Sequence, residues 1–251
     1  MEEKMREYLE SIKQLVRECG HFILNAERNS IEVESKEGSA NFVTKYDREV
    51  QRRLKEGLMK IVPDSVFVGE EDEDEVFDMD KNCFIVDPID GTTNFIKDYH
   101  MSCISVAFFC KGVSKIAVVY NPYLDEMFWA ERGCGAYCNG RRLSVSEKNL
   151  ENGIVLFGTS PYYEELNRKS FDMAYDYFKK ALDIRRSGSA ALDLCSIAAG
   201  RAELYFELKL SPWDYAAGIL LVEEAGGIVT TIENGPVSYE KPCSILARNK
   251  D

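Results

Sequence analysis

Phe84-Ile85-Val86-Asp87-Pro88-Ile89-Asp90-Gly91-Thr92-Thr93-Asn94-Phe95 is the stretch on which the reading of this chain turns. Phe84–Val86 is a short apolar run that reads as a strand, so Asp87 falls at the carboxyl edge, where open α/β sheets place their sites. Pro88 fixes φ and removes a backbone donor. With the chain turned there, Asp87 and Asp90 point into one space, with the Ile89 carbonyl between them. Two carboxylates and a carbonyl are hard oxygen ligands, the kind Mg²⁺ takes together with waters and substrate phosphate. Gly91 lets backbone approach a ligand closely. Free N–H groups where Thr92-Thr93 opens a helix or turn offer a seat for phosphate. Read locally, the same string is equally a surface turn, because Asp, Pro and Gly all favour turns.

Two distant carboxylates fit the first reading. Val68-Gly69-Glu70-Glu71 places Glu70 directly after a strand candidate, Ser65–Val68. Trp213-Asp214-Tyr215-Ala216-Ala217 places Asp214 at the start of a helical pattern, Trp213–Glu224, that stops at Gly226-Gly227. Each has a plainer reading: Glu70 as the first charge of an acidic run, Asp214 as a helix cap. For Glu71, Asp72, Glu73, Asp74 and Glu75 a solvated loop is the expectation.

The bulk properties agree with a soluble globular protein. The chain has 251 residues, 45% hydrophobic and 29% charged, enough for one large domain or two small ones. Its net charge of -12 lacks the electrostatic footprint of a phosphate-backbone binder, which argues against nucleic acid as a substrate or partner. A small anionic substrate would need bridging cations in so acidic a site. The 8 cysteines form no C-x-x-C pair and read as buried free thiols of a reducing compartment. The 2 histidines, His21 and His100, do not stand beside Cys134 and Cys138, which argues against structural zinc. No secretory signal pattern opens the sequence and no run approaches the ~20 apolar residues of a membrane helix; a cytoplasmic protein is expected.

Working outward, Met5–Asn25 has the three-and-four spacing of an amphipathic helix, and Tyr46–Val62 is a second helix. Between them Arg28–Asn41 reads as an exposed loop or hairpin. Ser102–Phe109 and Val113–Tyr120 form a hairpin around Lys111-Gly112, with Glu126–Ala130 as a further strand and a glycine-punctuated loop after it. Ile154–Phe157, Ile184–Arg186, Ala202–Glu207, Ile228–Thr231 and Ser244–Ala247 are strands that alternate with helices at Tyr163–Lys180, Ala190–Ala199 and Trp213–Glu224. That alternation predicts a layered α/β fold.

The Phe84–Phe95 stretch, together with Trp213-Asp214-Tyr215-Ala216-Ala217-Gly218 and the following Glu224-Ala225-Gly226-Gly227, resembles the two signatures of the inositol monophosphatase family of metal-dependent, lithium-sensitive phosphatases. The resemblance runs from the first helix to Ala247. It implies an α/β fold, a layered αβαβα sandwich of the sugar-phosphatase type, with mixed and antiparallel sheets in two halves (about 1–145 and 146–251) sharing one site in a single domain. It implies two to three Mg²⁺ ions: Glu70, Asp87 and the Ile89 carbonyl hold one, Asp87, Asp90 and Asp214 a second, with a third, weaker ion near Glu70. Asp47, in Val43-Thr44-Lys45-Tyr46-Asp47, would deprotonate the attacking water with Thr92. Gly91 and Thr92 would grip phosphate. Ser189 and Ala190, in Gly188-Ser189-Ala190, would line the substrate, and Glu207 would meet its hydroxyls. Lys36 falls in the Arg28–Asn41 loop, where a lysine often faces the site.

The implied reaction is hydrolysis of inositol-1-phosphate by metal-activated water, in a homodimer. Thr93 stands where relatives acting on adenosine 3',5'-bisphosphate or histidinol phosphate carry lysine, which argues against those substrates. Fructose-1,6-bisphosphate and other sugar phosphates stay open. So does a role as a transcription accessory factor, as in some bacterial relatives. Many relatives continue into a C-terminal helix after the last strand, whereas Asp251 follows Ser244–Ala247 by a few residues.

Overall fold

Leu9, Ile12, Val16, Cys19 and Ile23 recur at three- and four-residue spacing and are all buried, so helix α1 (Glu2–Leu24) presents one apolar stripe to the core. The computed structural model describes residues 2–27, 33–35, 42–72, 76–161 and 163–250. After α1 come a small antiparallel pair, β1 (Val33–Ser35) and β2 (Phe42–Thr44), then α2 (Lys45–Ile61). Lys36 and Glu73, Asp74 and Glu75 lie outside the described residues.

A seven-stranded sheet follows: β3 (Val66–Gly69), β4 (Asn82–Asp90), β5 (Cys103–Cys110), β6 (Val113–Asn121), β7 (Glu126–Glu131), β8 (Gly135–Cys138) and β9 (Arg141–Arg142), in sequence order. Only β3 and β4 are parallel; every later pair is antiparallel. The expected hairpin and its third strand are present. The glycine-punctuated loop instead carries β8 and β9, two short strands whose backbone pairing dominates their turn-like composition. The short helix α3 (Thr92–Ile96) sits between β4 and β5.

The second sheet has five strands in the order β11-β10-β12-β14-β13. These are β10 (Ile154–Phe157), β11 (Asp183–Arg185), β12 (Leu204–Leu210), β13 (Ile228–Thr230) and β14 (Cys243–Arg248), interleaved with α4 (Glu164–Phe178), α5 (Ala190–Ala198) and α6 (Pro212–Glu224). β10 runs parallel to both β11 and β12, so their carboxyl ends point the same way.

Alternation along the strands sorts the layers. On β4, Phe84 and Val86 pack with α1 and α2, while Cys83 and Ile85 pack with α5 and α6. On β12, Tyr205 joins the α5–α6 core, while Leu204 and Phe206 face α4. The order is therefore α1–α2, large sheet, α5–α6, small sheet, α4: the five-layer αβαβα sandwich that the family resemblance implies. No helix among the described residues is long and apolar enough to cross a membrane.

Leu58 is fully buried on α2, more than three helical turns from that helix's N-terminus. Leu58→Ala is expected to cost roughly 2–5 kcal/mol in denaturant unfolding, through lost burial plus a cavity. A loss below about 1 kcal/mol would contradict the packing described.

Candidate active site

β4 does not end at Val86 as its apolar run suggested. Ladder pairing with β5 carries on to Asp90, through an irregularity: Asp87 pairs with Ser105 but Asp90 with Cys103. Three residues on β4 thus oppose two on β5, a β-bulge. The extra residue has a consequence for side-chain direction. In a regular strand, residues three apart point to opposite faces. The bulge cancels that, and it also accommodates Pro88, which cannot donate to the ladder. Asp87 and Asp90 are both buried, and each offers a carboxylate oxygen within 4.8 Å of the other and of one from Asp214.

Asp214 comes from the first turn of α6. Pro212 occupies the start of that helix, and Asp214 Oδ2 reaches back to accept from the Ser211 N–H at 2.7 Å. The cap role and the cluster role coexist on one side chain. Asp47 behaves likewise at the start of α2. Its Oδ2 accepts from the Thr44 N–H at 2.8 Å and the Thr44 hydroxyl at 2.5 Å, completing a capping box. Its Oδ1 accepts from the Thr92 hydroxyl at 3.2 Å, which also lies 3.1 Å from the Ile89 carbonyl oxygen. Asp47 and Thr92, 45 residues apart, are thereby brought together.

Asp90 is held from the other half of the chain. Its Oδ2 accepts from the Ser189 hydroxyl at 2.6 Å and from the Ala191 N–H at 2.7 Å, at the N-terminus of α5. The Cys103 thiol lies 3.8 Å from the same oxygen. Gly91 follows with φ 87, a left-handed conformation open to glycine, and a Cβ there would stand 2.8 Å from the Met101 carbonyl oxygen.

Burial pushes all these carboxyls up. Asp47 and Asp90 are raised to about 6, chiefly by burial, and in Asp90 the bonds from Ser189 and Ala191 oppose the rise. Asp87 lies well above the usual carboxylate range through burial and the charges of Glu70, Asp90 and Asp214. Asp214 is raised by burial, then by Asp90 and Glu70. Glu70, half-buried just after β3, is thus within electrostatic reach of the cluster. Among the described residues, no lysine or arginine hydrogen-bonds or ion-pairs with Asp47, Asp87, Asp90 or Asp214. Such a set suits a hard divalent cation, which supplies the missing positive charge to oxygen donors.

Glu207 lies on β12, where its Oε1 accepts from the Ser160 N–H at 2.7 Å and Oε2 from the Tyr205 hydroxyl at 2.9 Å. It is raised by burial, and the charge of Asp90 adds to that. So it stands in electrostatic reach of the cluster but makes no bond to it. Ser189 does more than line a surface, because it bonds Asp90 directly. Ala190 opens α5 beside it. Glu71 departs from the solvated-loop expectation: it is half-buried, its N–H donates to Gln51 Oε1 at 2.9 Å, and its charge raises Asp47. Asp72 pairs with Lys55 at 2.7 Å. His100 is exposed, stacked on Tyr123 and 3.2 Å from Asp98. Of the cysteines, Cys19, Cys83, Cys103 and Cys195 are buried, whereas Cys134 is exposed and the others are intermediate. Thr44, Asn94 and Cys103 were not picked out from the sequence. A threonine three residues before Asp47 was the one local signal, a capping-box spacing.

The profile of the inositol monophosphatase family matches residues 4–251, and the chain belongs to that family. It is 33% identical over 241 residues to the inositol-1-monophosphatase of Bacillus subtilis, covering 96% of this chain and 91% of that one. It is 40% identical over 217 residues to the Nus factor SuhB of Escherichia coli K12, covering 86% and 80%. The crystal structure of the extragenic suppressor protein suhB from Bartonella henselae superposes with a TM-score of 0.87 at 37% identity, covering 94% of this chain and 92% of that one. Membership supports phosphatase chemistry and leaves the ester unspecified.

Raised carboxyl groups bind protons more tightly in the fold than in the unfolded chain, where aspartates titrate at about 4. Their contribution to stability is full below that value and is lost as the pH rises through about 6, the value reached by Asp47 and Asp90, and beyond for Asp87 and Asp214. In EDTA, the melting temperature is therefore expected to fall between about pH 5 and pH 8, and Mg²⁺ should restore it more at the alkaline end. A melting temperature independent of both pH and Mg²⁺ would contradict the electrostatic description.

Proposed function

We propose that this protein is a Mg²⁺-dependent phosphatase of small phosphate monoesters, with inositol-1-phosphate as its preferred substrate. The observation that carries the reading is the crowding of Asp87, Asp90 and Asp214 oxygens within 4.8 Å, with Asp87 and Asp90 buried, Asp214 half-buried, and no basic partner among the described residues. Glu70, Asp87, Asp90, Asp214 and the Ile89 carbonyl would hold two to three ions. When bound, magnesium supplies Lewis-acid stabilisation of phosphoryl charge and acidifies a water.

The chain's own residues do the rest. Thr92 donates its hydroxyl proton towards Asp47, which leaves an oxygen lone pair free to accept from a water. Asp47, raised to about 6 by burial, is suited to receive that water's proton near neutral pH. Water oxygen bonds to phosphorus, the ester oxygen departs, and solvent protonates the alcohol. Backbone N–H groups around Gly91 and Thr92 face the phosphate, Ser189 and Ala190 line the alcohol, and Glu207 accepts from its hydroxyls. Both halves contribute, so the chain acts as one catalytic unit.

Fructose-1,6-bisphosphate and other sugar phosphates are the alternative substrates. Relatives named Nus factor favour a second reading, a transcription accessory factor with secondary catalysis. The net charge of -12 argues for a protein rather than a nucleic acid as partner there. Asp90→Asn should lower Mg²⁺-dependent phosphate release from inositol-1-phosphate by roughly 100-fold or more, the scale of losing a primary electrostatic element. An Asp90→Asn protein of undiminished activity would overturn the assignment. Wild-type protein inactive on a panel of esters, yet retained by RNA polymerase, would favour the second reading.

The working assembly is proposed to be a homodimer through α4. Phe171, Tyr175 and Phe178 on α4 are 56%, 62% and 50% exposed, and their 4-3 spacing is that of a helix-pairing seam; Leu182, just past the helix end, is 68% exposed. Glu164 and Glu165 open α4, and Lys179 and Lys180 follow its end. A two-fold axis pairing α4 antiparallel with a second copy sets those opposite charges against each other. Light scattering should find a dimer for the wild type and a monomer for Tyr175→Glu; a monomeric wild type would contradict it.

A further inference from the structure

Asn94 lies between the two halves of the site. It sits on α3, two residues after Thr92, and its side-chain amide donates to two backbone carbonyls from different parts of the chain. Nδ2 lies 2.7 Å from the Met101 oxygen, just before β5, and 3.0 Å from the Ser187 oxygen, in the turn that leads into α5. An amide nitrogen has two hydrogens, so both bonds form at once. The backbone at this contact is unusually close: a Cβ on Gly188 would stand 3.1 Å from Asn94 Nδ2, and one on Gly91 3.3 Å from the Gly188 oxygen. Both glycines have positive φ, 84 for Gly188 and 87 for Gly91. A bulkier or differently turned backbone would separate the two loops.

The Ser187 turn is the segment that holds Asp90. Ser187 Oγ accepts from the Ser189 N–H at 3.0 Å and donates to the Ser189 carbonyl at 3.0 Å, which fixes the turn. Ser189 Oγ and the Ala191 N–H then both bond Asp90 Oδ2. The Asp90–Asn94 segment, from the end of β4 into α3, and the Ser187–Ala191 turn are therefore clamped at two ends, by Asp90 at one and by Asn94 at the other. Asn94 touches none of the clustered carboxylates. Its effect on them runs through the backbone of the turn.

We infer that Asn94 is a positioning residue, whose two amide bonds hold the Ser187–Ala191 turn in the register at which Ser189 and Ala191 orient the Asp90 carboxylate for a divalent cation. The inference rests on the proposed metal-dependent reading of the site. Partners that orient a ligand from behind are worth roughly 10–100-fold in metal affinity or activity.

The test uses full-length protein carrying Asn94→Leu, which keeps the number of side-chain heavy atoms and removes both donors, and Asn94→Ala. Leu58→Ala, with its cavity at the far end of α2, serves as a control of lowered stability. Three quantities are measured for each: melting temperature in EDTA, Mg²⁺ affinity by calorimetry, and kcat and KM for inositol-1-phosphate at saturating Mg²⁺. Both Asn94 variants are expected to weaken Mg²⁺ binding by roughly tenfold or more and to lower kcat on that scale, with KM changed less. Leu58→Ala should lose stability while keeping its Mg²⁺ affinity. Asn94→Leu with wild-type Mg²⁺ affinity would overturn the inference, as would a Mg²⁺ affinity that falls equally in Leu58→Ala. A wild type that binds Mg²⁺ yet releases no phosphate from any ester would count against the functional reading, while the calorimetry would still decide the role of Asn94. Should Asn94→Leu fail to fold, Asn94→Ala is read in its place. Failure of both to fold while Leu58→Ala folds would overturn the inference, because the amide would then be a general requirement of the fold.

Discussion

Negative charge crowded at one place, with no basic partner among the described residues, is the constraint that organises this molecule. Asp47, Asp87, Asp90 and Asp214 are drawn into one low-dielectric region, and desolvating each ionised carboxylate costs several kcal/mol. A core that merely needed filling would place apolar side chains there instead. Burial raises all four, and the neighbouring carboxylates raise Asp87 and Asp214 further, so without a cation the site is a proton trap. Tolerating such a cluster makes physical sense when a cation occupies it during function.

The layered architecture supplies what compensation the chain itself can offer. Three helices begin at the cluster: α2 with Asp47 in its first turn, α6 with Asp214 in its first turn, and α5 with the Ala191 N–H on Asp90. Each N-terminus presents unpaired N–H groups and the positive end of a helix dipole. The large sheet supplies Asp87 and Asp90 through the β4 bulge, and the turn after β11 supplies Ser189. The site therefore exists only where the two halves meet, which gives the bonds across that seam, from Asn94 and Ser189, their importance.

Much of this was legible in the sequence. The period-3.6 pattern of α1 and the β-branched runs of β5 and β6 follow from local chemistry, and the Asp87–Phe95 and Trp213–Gly218 motifs were specific enough to name a family. What escaped is instructive. The β4 bulge depends on cross-strand pairing of Asp90 with Cys103, which no local pattern encodes, and it turned a presumed strand end into a bent strand. β8 and β9 are short and glycine-flanked, so their pairing outvotes their composition. Ser189 on Asp90 and Asn94 on Ser187 join residues 99 and 93 apart. Asp214 was weighed as cap or ligand, and Asp47 as helix start or base; each carboxylate has two oxygens, and one caps its helix while the other stays free to face the cluster or Thr92.

The central claim is that the carboxylate cluster exchanges protons for a divalent cation. Calorimetric titration of Mg²⁺ into metal-free protein at about pH 6, repeated in buffers of different ionisation enthalpy, measures that exchange directly. The account predicts a net release of about one proton or more per molecule on binding at that pH, and a smaller release as the pH rises and the protons leave beforehand. Binding with no proton release at any pH, or no binding at all, would contradict it.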